Sequence, residues 1–222
     1  MSFEEYLKPG KFIDSDHPVV IEYAKVHVGT GTTDIEKALS LFYAVRDGIR
    51  YNPYMKIESP TAYRASDAVK SGEGWCVPKA ALMAACLRIN GIPARPGYAD
   101  VKNHLASKHL LDLMGTDIFP WHSYCEVYLD GKWVKSTPSF NLSLCEKFGL
   151  KPLDFDGKKD SLFHEFDQAG NKHMDYILER GTYADVPMDE MLVTFKEMYL
   201  PEYFESIDGD LYAEADAERA AD

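Results

Sequence analysis

The sequence lacks several features that would assign it to a special class of protein. Its longest apolar run, residues 80–87, is far shorter than the roughly 20 residues that a membrane-spanning helix needs. It contains no C-x-x-C pair, which argues against a structural zinc site, and no internal repeat or low-complexity linker. The hydrophobic share of 45% over 222 residues is that of an ordinary soluble globular chain.

Positive charge is also scarce. The chain has 24 Lys and Arg against 36 Asp and Glu, so its formal net charge is -12. Such a surface repels phosphate groups, and we therefore expect neither a nucleic acid nor a membrane as partner. The N-terminal residues are acidic and no apolar stretch follows them, so we expect no secretory signal. The four cysteines are then expected to be reduced thiols in a cytoplasm: Cys76, Cys86, Cys125 and Cys145.

Two segments carry strong helix signals. A helix is predicted over residues 33–50, because Thr33 and Glu36 form a T-x-x-E capping box. A second, Ala-rich helix is predicted over residues 76–90, with a proline in its first turn and Gly91 as its stop. Weaker patterns predict further helices over residues 19–27, 66–70, 142–148 and 188–199.

The strongest strand signal is a hairpin over residues 123–137 that turns at Asp130-Gly131. Pairing Leu129 with Lys132 places Val127 opposite Val134, so that apolar side chains face each other and opposite charges meet further along.

The chain is expected to form one main domain over residues 1–205, with its core at about 35–140. Another strand is predicted over residues 94–101, and a hairpin around residues 168–171. The segment 206–222 is rich in acids, and we expect it to be a disordered tail.

Cys76 is the sharpest candidate for chemistry. Most cysteines are small buried hydrophobes, and that interpretation suits the other three. Cys76 instead follows Gly72 and Gly74 and opens a predicted helix, where unpaired N–H groups and the positive end of the dipole favour a thiolate. The same N–H groups could hold an oxyanion.

His122 is the natural partner of Cys76. It opens the predicted hairpin on the face opposite Cys125 and Val127, which we assign to the core, so its imidazole could meet a helix terminus docked on the sheet. An imidazolium there would stabilise a thiolate and later protonate a leaving amine. The remaining candidate histidines are interpreted as surface or structural residues: His104, His109, His164 and His173.

Trp75 and Trp121 each precede one of these candidates. We predict that they wall a substrate cleft, with ordinary packing beside the core as the alternative.

Three blocks of this sequence resemble the transglutaminase-like superfamily: GWCVPKAAL at residues 74–82, LRINGIPAR at 87–95 and HSYCEVYLDGKW at 122–133. The resemblance implies an α+β fold with a papain-like cysteine-protease or transglutaminase core, in which a nucleophile helix packs on an antiparallel sheet. It also implies a Cys-His-Asp triad with Cys76 as nucleophile and His122 as base, and neither a cofactor nor a metal.

One position departs from the family's pattern. Where the family has Trp-x-x-x-Asp-Pro, this chain has Thr137 before Pro138, so the expected acid is missing. Thr137 could accept a hydrogen bond from the imidazole but supplies no charge. Asn141 could orient the ring instead, as an asparagine does in Cys-His-Asn sites. An acid from elsewhere in the chain stays open.

We therefore expect a thiol hydrolase or acyltransferase that acts on amide bonds of a protein or peptide substrate through a thioester. Hydrolysis is favoured, since no site for an acceptor amine is evident in the sequence. The alternative is a catalytically degenerate domain that binds peptides or proteins through the same cleft. A homodimer is a further partner that the sequence leaves open.

Overall fold

The computed structural model describes residues 3–103, 106–163, 169–170, 173–205 and 207–221, and these form an α+β fold. The first half contains α1 (Pro18–His27), α2 (Asp34–Gly48), β1 (Arg50–Tyr51), α3 (Ala65–Ser71), β2 (Glu73–Gly74) and α4 (Cys76–Ile89). The second half contains β3 (Ala94–Asn103), α5 (Lys108–Met114), β4 (Ile118–Leu129), β5 (Lys132–Ser136), α6 (Leu142–Phe148), β6 (Met174–Thr182), α7 (Met188–Met198), α8 (Pro201–Glu205) and α9 (Leu211–Ala221).

Helix α4 is the centre of the fold. Apart from Lys79 and Arg88 it is apolar on every side, and it is buried from Cys76 through Arg88, as expected for a helix with no polar face. It packs on β4, and α1, α2 and α3 surround its other sides. The predicted nucleophile helix on an antiparallel sheet is therefore present in the structure.

The buried Lys79 ties α4 to the end of α2. Its Nζ donates hydrogen bonds to the carbonyl oxygens of Arg46, at 2.9 Å, and of Ile49. These carbonyls end α2, where the helix dipole favours a cation. Burial lowers the pKa of Lys79 well below its ordinary value. Lys79 therefore serves as a C-terminal cap for a helix that is distant in sequence.

The hairpin has the predicted register: Leu129 pairs with Lys132 and Val127 with Val134. Asp130 and Gly131 both have positive φ, 47° and 83°, as a two-residue type I′ turn requires. The sheet order is β5-β4-β3-β6, with every neighbouring pair antiparallel.

A bulge interrupts the pairing of β3 with β4 between Ala99 and Val101. Asp100 lies at this bulge, where its Oδ1 accepts a 3.0 Å hydrogen bond from the N–H of Trp121 and its Oδ2 accepts one of 2.8 Å from Arg180. Trp121 has a left-handed backbone, with φ of 60°, which is costly for a bulky residue. Asp100 thus fixes the backbone immediately before His122.

The remaining sequence predictions have different outcomes. The helices predicted near residues 19–27, 33–50, 66–70, 76–90, 142–148 and 188–199 are all present within two residues of those bounds. Of the hairpin predicted around 168–171, the structure describes residues 169–170 alone, so the prediction lies outside the described residues. No helix in the described part of the chain is both long enough and apolar enough to cross a membrane.

The structure corrects the disordered tail expected over residues 206–222. Residues Leu211–Ala221 form α9, whose Leu211 and Ala215 are buried. Four of the acids that suggested disorder have partners in the fold: Asp210 with Arg50, Glu214 with Tyr54 and Ser107, Asp216 with Lys147, and Glu218 with the backbone N–H of Lys108. Composition alone could not show these partners, because they lie far away in sequence.

Candidate active site

Cys76 is the first residue of α4. The chain reaches it through Gly72, whose φ is +73°, and Gly74, where a Cβ would lie only 2.9 Å from the ring of Pro78. Glycine is thus needed at both positions for the strand to turn into the helix. The backbone N–H groups of Ser123, Val77 and Cys76 itself donate to the sulfur. The sulfur therefore lies among donors that would stabilise a negative charge.

Burial nevertheless dominates the acidity of this thiol. Cys76 is 5% exposed. Burial raises the pKa of Cys76 to about 12, and the N–H donors oppose this rise only in part. At neutral pH the resting sulfur is therefore a neutral thiol.

His122 is also buried. Its ring packs against Phe163, with ring centroids 5.4 Å apart, and its Nε2 has no hydrogen-bond partner among the described residues. Burial lowers the pKa of His122 to about 4, and the nearby His173 lowers it as well. The imidazole is therefore neutral at physiological pH and can accept a proton.

Cys76 and His122 line the same cavity, which encloses about 570 Å³ when the space at its mouth is counted. Two segments separated by some forty residues of chain, the start of α4 and the middle of β4, thus contribute to one site. The rest of the described wall is mainly apolar: Tyr51, Pro53, Ile57, Trp75, Val101, Asn103, Leu110, Met114, Phe119, Pro120, Phe140, Met174, Phe195, Tyr199 and Tyr203.

Both candidates for the third member have hydrogen-bond partners elsewhere in the fold. Thr137 is buried, and its hydroxyl donates a 2.9 Å hydrogen bond to the carbonyl oxygen of Ser161. Asn141 donates to the carbonyls of Arg46 and Ile49 and accepts from the N–H of Tyr51, at 2.6 Å. Both side chains thus hold loops and helix ends together.

The two tryptophans predicted to wall the cleft lie in different places. Trp75 lines the cavity, and its Nε1 donates to the carbonyl of Ala62 at 2.8 Å. Trp121 is not among the described residues that line this cavity, and its contacts are those of ordinary packing. Its indole lies 5.5 Å from the ring of Tyr98 and donates to Thr194 at 3.0 Å.

The sequence analysis missed His173 and the tyrosines around the sulfur. His173 is buried, and its ring lies 5.6 Å from that of Phe163, which also contacts His122. Tyr199 and Tyr203 reach the cavity from the C-terminal helices. Burial raises the pKa of both tyrosines, and the proximity of Cys76 contributes. No local pattern marked these residues, because each reaches the site through long-range packing. His104 and His164 lie outside the described residues.

Comparisons with known proteins give one family and two structural neighbours. A family model described as the transglutaminase-like superfamily matches residues 21–138. A search of curated proteins gave no significant match.

Among solved structures, the chain is similar to a protein of Cytophaga hutchinsonii provisionally described as a cysteine protease, with 19% identity and a TM-score of 0.45. That match covers 80% of this chain and 53% of the other. It is also similar to a protein of Parabacteroides distasonis provisionally described as a protease, with 17% identity and a TM-score of 0.40 over 56% of this chain and 23% of the other. The chain thus spans about half the length of the first of these proteins and about a quarter of the second.

Proposed function

Because the chain belongs to the transglutaminase-like superfamily, we propose that it is a cysteine-dependent enzyme that hydrolyses or transfers the acyl group of amide bonds. One observation carries the proposal: the sulfur of Cys76 receives backbone N–H donors at a helix start and shares a cavity with a neutral imidazole, His122. A nucleophile, a base and donors for negative charge are the parts that acyl transfer needs.

The reaction begins from an uncharged pair. As the sulfur adds to the amide carbonyl carbon, the thiol proton moves to His122, so that no free thiolate is required beforehand. The carbonyl oxygen becomes an oxyanion, to which the N–H groups of Cys76 and Val77, donors to the resting sulfur, can donate once the C–S bond has formed. His122 then gives the proton to the departing amine nitrogen as the C–N bond breaks, and a thioester on Cys76 remains.

The second half of the reaction frees the enzyme. Water attacks the thioester carbon and gives a proton to His122, the C–S bond breaks, and the sulfur of Cys76 recovers its proton. The products are a carboxylic acid and the free enzyme. An amine in place of water would give a new amide, which is acyl transfer. We favour hydrolysis of a protein or peptide amide.

Alkylation of the cysteines by iodoacetamide, followed by mass spectrometry, tests this proposal. In the folded protein we expect Cys76 to react at least about tenfold faster than the other three cysteines, because it alone faces the cavity beside a base. His122→Ala should slow the alkylation of Cys76 at neutral pH, and the difference from the parent should shrink as the pH rises towards the thiol pKa of about 12, where hydroxide generates the thiolate. His109→Ala, at an exposed histidine elsewhere, is the matched control and should change nothing.

A degenerate binding domain is the second candidate. The observation in its favour is the buried Nε2 of His122, which has no hydrogen-bond partner among the described residues. This candidate predicts equal, slow alkylation of all four cysteines, with no effect of His122→Ala.

A further inference from the structure

The cavity beside Cys76 continues into a second one of about 380 Å³, counting its open space. The two share part of their walls, namely Tyr51, Asn103, Leu110, Phe119 and Phe140. The second cavity extends away from the sulfur towards Leu144, Phe148, Leu150 and Leu211. We call the two together the joined cavity.

The joined cavity is lined mainly by apolar and aromatic side chains. Among the described residues that line it, none carries a carboxylate, an ammonium or a guanidinium group. At the junction, the ring of Phe140 lies 4.8 Å from that of Tyr51 and 4.7 Å from that of Phe163. A charged group that entered would lose its water and find no counter-charge on the described walls, whereas an apolar group gains from leaving water.

We propose that the joined cavity binds the amino-acid residue on the acyl side of the scissile amide, and that this residue has an uncharged apolar side chain such as that of leucine, methionine or phenylalanine. This inference rests on the proposed function, because it places the acyl carbon at Cys76. The side chain then extends from the sulfur towards the junction at Phe119 and Phe140.

The wall favours a peptide residue over a plain alkyl chain. Tyr51 and Tyr199 give the wall near the sulfur polar groups. A peptide backbone can hydrogen-bond to such groups, and an alkyl chain cannot, so that burying it beside them would cost free energy. The aromatic and thioether side chains further along, including Met114 and Met174, adapt to bulky apolar shapes.

Peptidyl chloromethyl ketones test the inference, because they alkylate a cysteine with the acyl-side residue in place. The probes are the acetyl-leucyl, acetyl-phenylalanyl, acetyl-lysyl and acetyl-glutamyl ketones, together with a dodecanoyl ketone. The rate at Cys76, measured by mass spectrometry, is divided by the rate of the same probe with glutathione. We expect the two apolar peptidyl probes to react at least about tenfold faster than the two charged ones on this scale.

A charge placed at the junction should reverse this preference. Phe119 is only partly buried, so Phe119→Lys is a tolerable change, and it should raise the rate of the glutamyl probe by about tenfold or more. Ile118→Lys changes the preceding residue, which lies outside the described wall, and it should leave every ratio of probe rates unchanged. If Phe119→Lys fails to fold by circular dichroism, Phe148→Lys at the far end of the joined cavity is the second variant.

The outcomes separate the inference from the function on which it rests. Equal normalised rates for all peptidyl probes, with Cys76 still the most reactive cysteine, would overturn the apolar preference and leave the enzyme proposal standing. A dodecanoyl probe faster than the leucyl probe would overturn the assignment to a peptide residue. Failure of every probe, and of iodoacetamide, to distinguish Cys76 from the other cysteines would overturn both proposals.

Discussion

Replacing Asn141 by leucine should lower the free energy of unfolding by about 2–4 kcal/mol. The amide of Asn141 donates to the carbonyls of Arg46 and Ile49 and accepts from the N–H of Tyr51. Leucine fills a similar volume but makes none of these bonds. The two carbonyls keep Lys79 as a donor, whereas the N–H of Tyr51 is left buried and unpaired, and that group dominates the loss.

Urea unfolding followed by circular dichroism measures this change. The urea concentration at half-unfolding should fall. The slope of the unfolding free energy against urea concentration should stay constant, since the surface exposed on unfolding is unchanged. Leu142→Asn is the matched control: it changes the adjacent residue, which is 42% exposed, and should alter stability by no more than about 0.5 kcal/mol.

The same variant distinguishes the structural role of Asn141 from a catalytic one. Because the amide of Asn141 is hydrogen-bonded to the end of α2 and to Tyr51, Cys76 of the folded Asn141→Leu protein should be alkylated by iodoacetamide with the same pH profile as in the parent. A variant of parental stability would refute the reasoning about the hydrogen bonds. A stable variant with a displaced pH profile would show that Asn141 orients His122 after all.

Other substitutions and a pH titration test separate parts of the fold. Glu214→Leu, which removes the acceptor of two hydroxyl groups from α9, should cost about 1–2 kcal/mol in urea unfolding, and no change would show that α9 is not held by this carboxylate. Asp100→Asn breaks a nearly buried ion pair and should cost about 3 kcal/mol, whereas Asp117→Asn at an exposed pair should cost less than about 1 kcal/mol, and equal costs would contradict the assigned burial. The unfolded chain protonates His122 below about pH 6.5 and the folded chain only near pH 4, so stability should fall by about 3 kcal/mol as the pH decreases between these values. His122→Gln should remove this part of the pH dependence, and an equally steep dependence in the variant would argue against a buried neutral imidazole.

The predictable parts of the fold were those with local causes. The capping box of Thr33 and Glu36 forms with both of its hydrogen bonds, and the Asp130-Gly131 turn sets the whole register of the hairpin. The proline in the first turn and Gly91 after the last turn marked the bounds of α4, because each residue suits the backbone of a helix end. In each case a few neighbouring residues determine the backbone.

The parts that could not be predicted depend on distant partners. The acids after residue 206 indicated disorder until the structure placed Arg50, Tyr54 and Lys147 beside them. Asn141 lies an even number of residues from Thr137, so the sequence allowed it to face His122. In the structure its amide instead donates hydrogen bonds to carbonyls at the end of α2. No sequence pattern distinguished His173, because its contact with Phe163 depends on the tertiary packing of the chain.

The position of the last helices has a practical consequence for anyone who expresses this protein. Composition would suggest removing the acidic C-terminal segment as dispensable. Leu211 forms part of the wall of the second cavity, and Tyr203, just before this segment, contributes to the first. A chain without this segment would lose Leu211 from the wall of the second cavity, so that the cavity would be more open to solvent and its ligand binding would differ from that of the whole sequence.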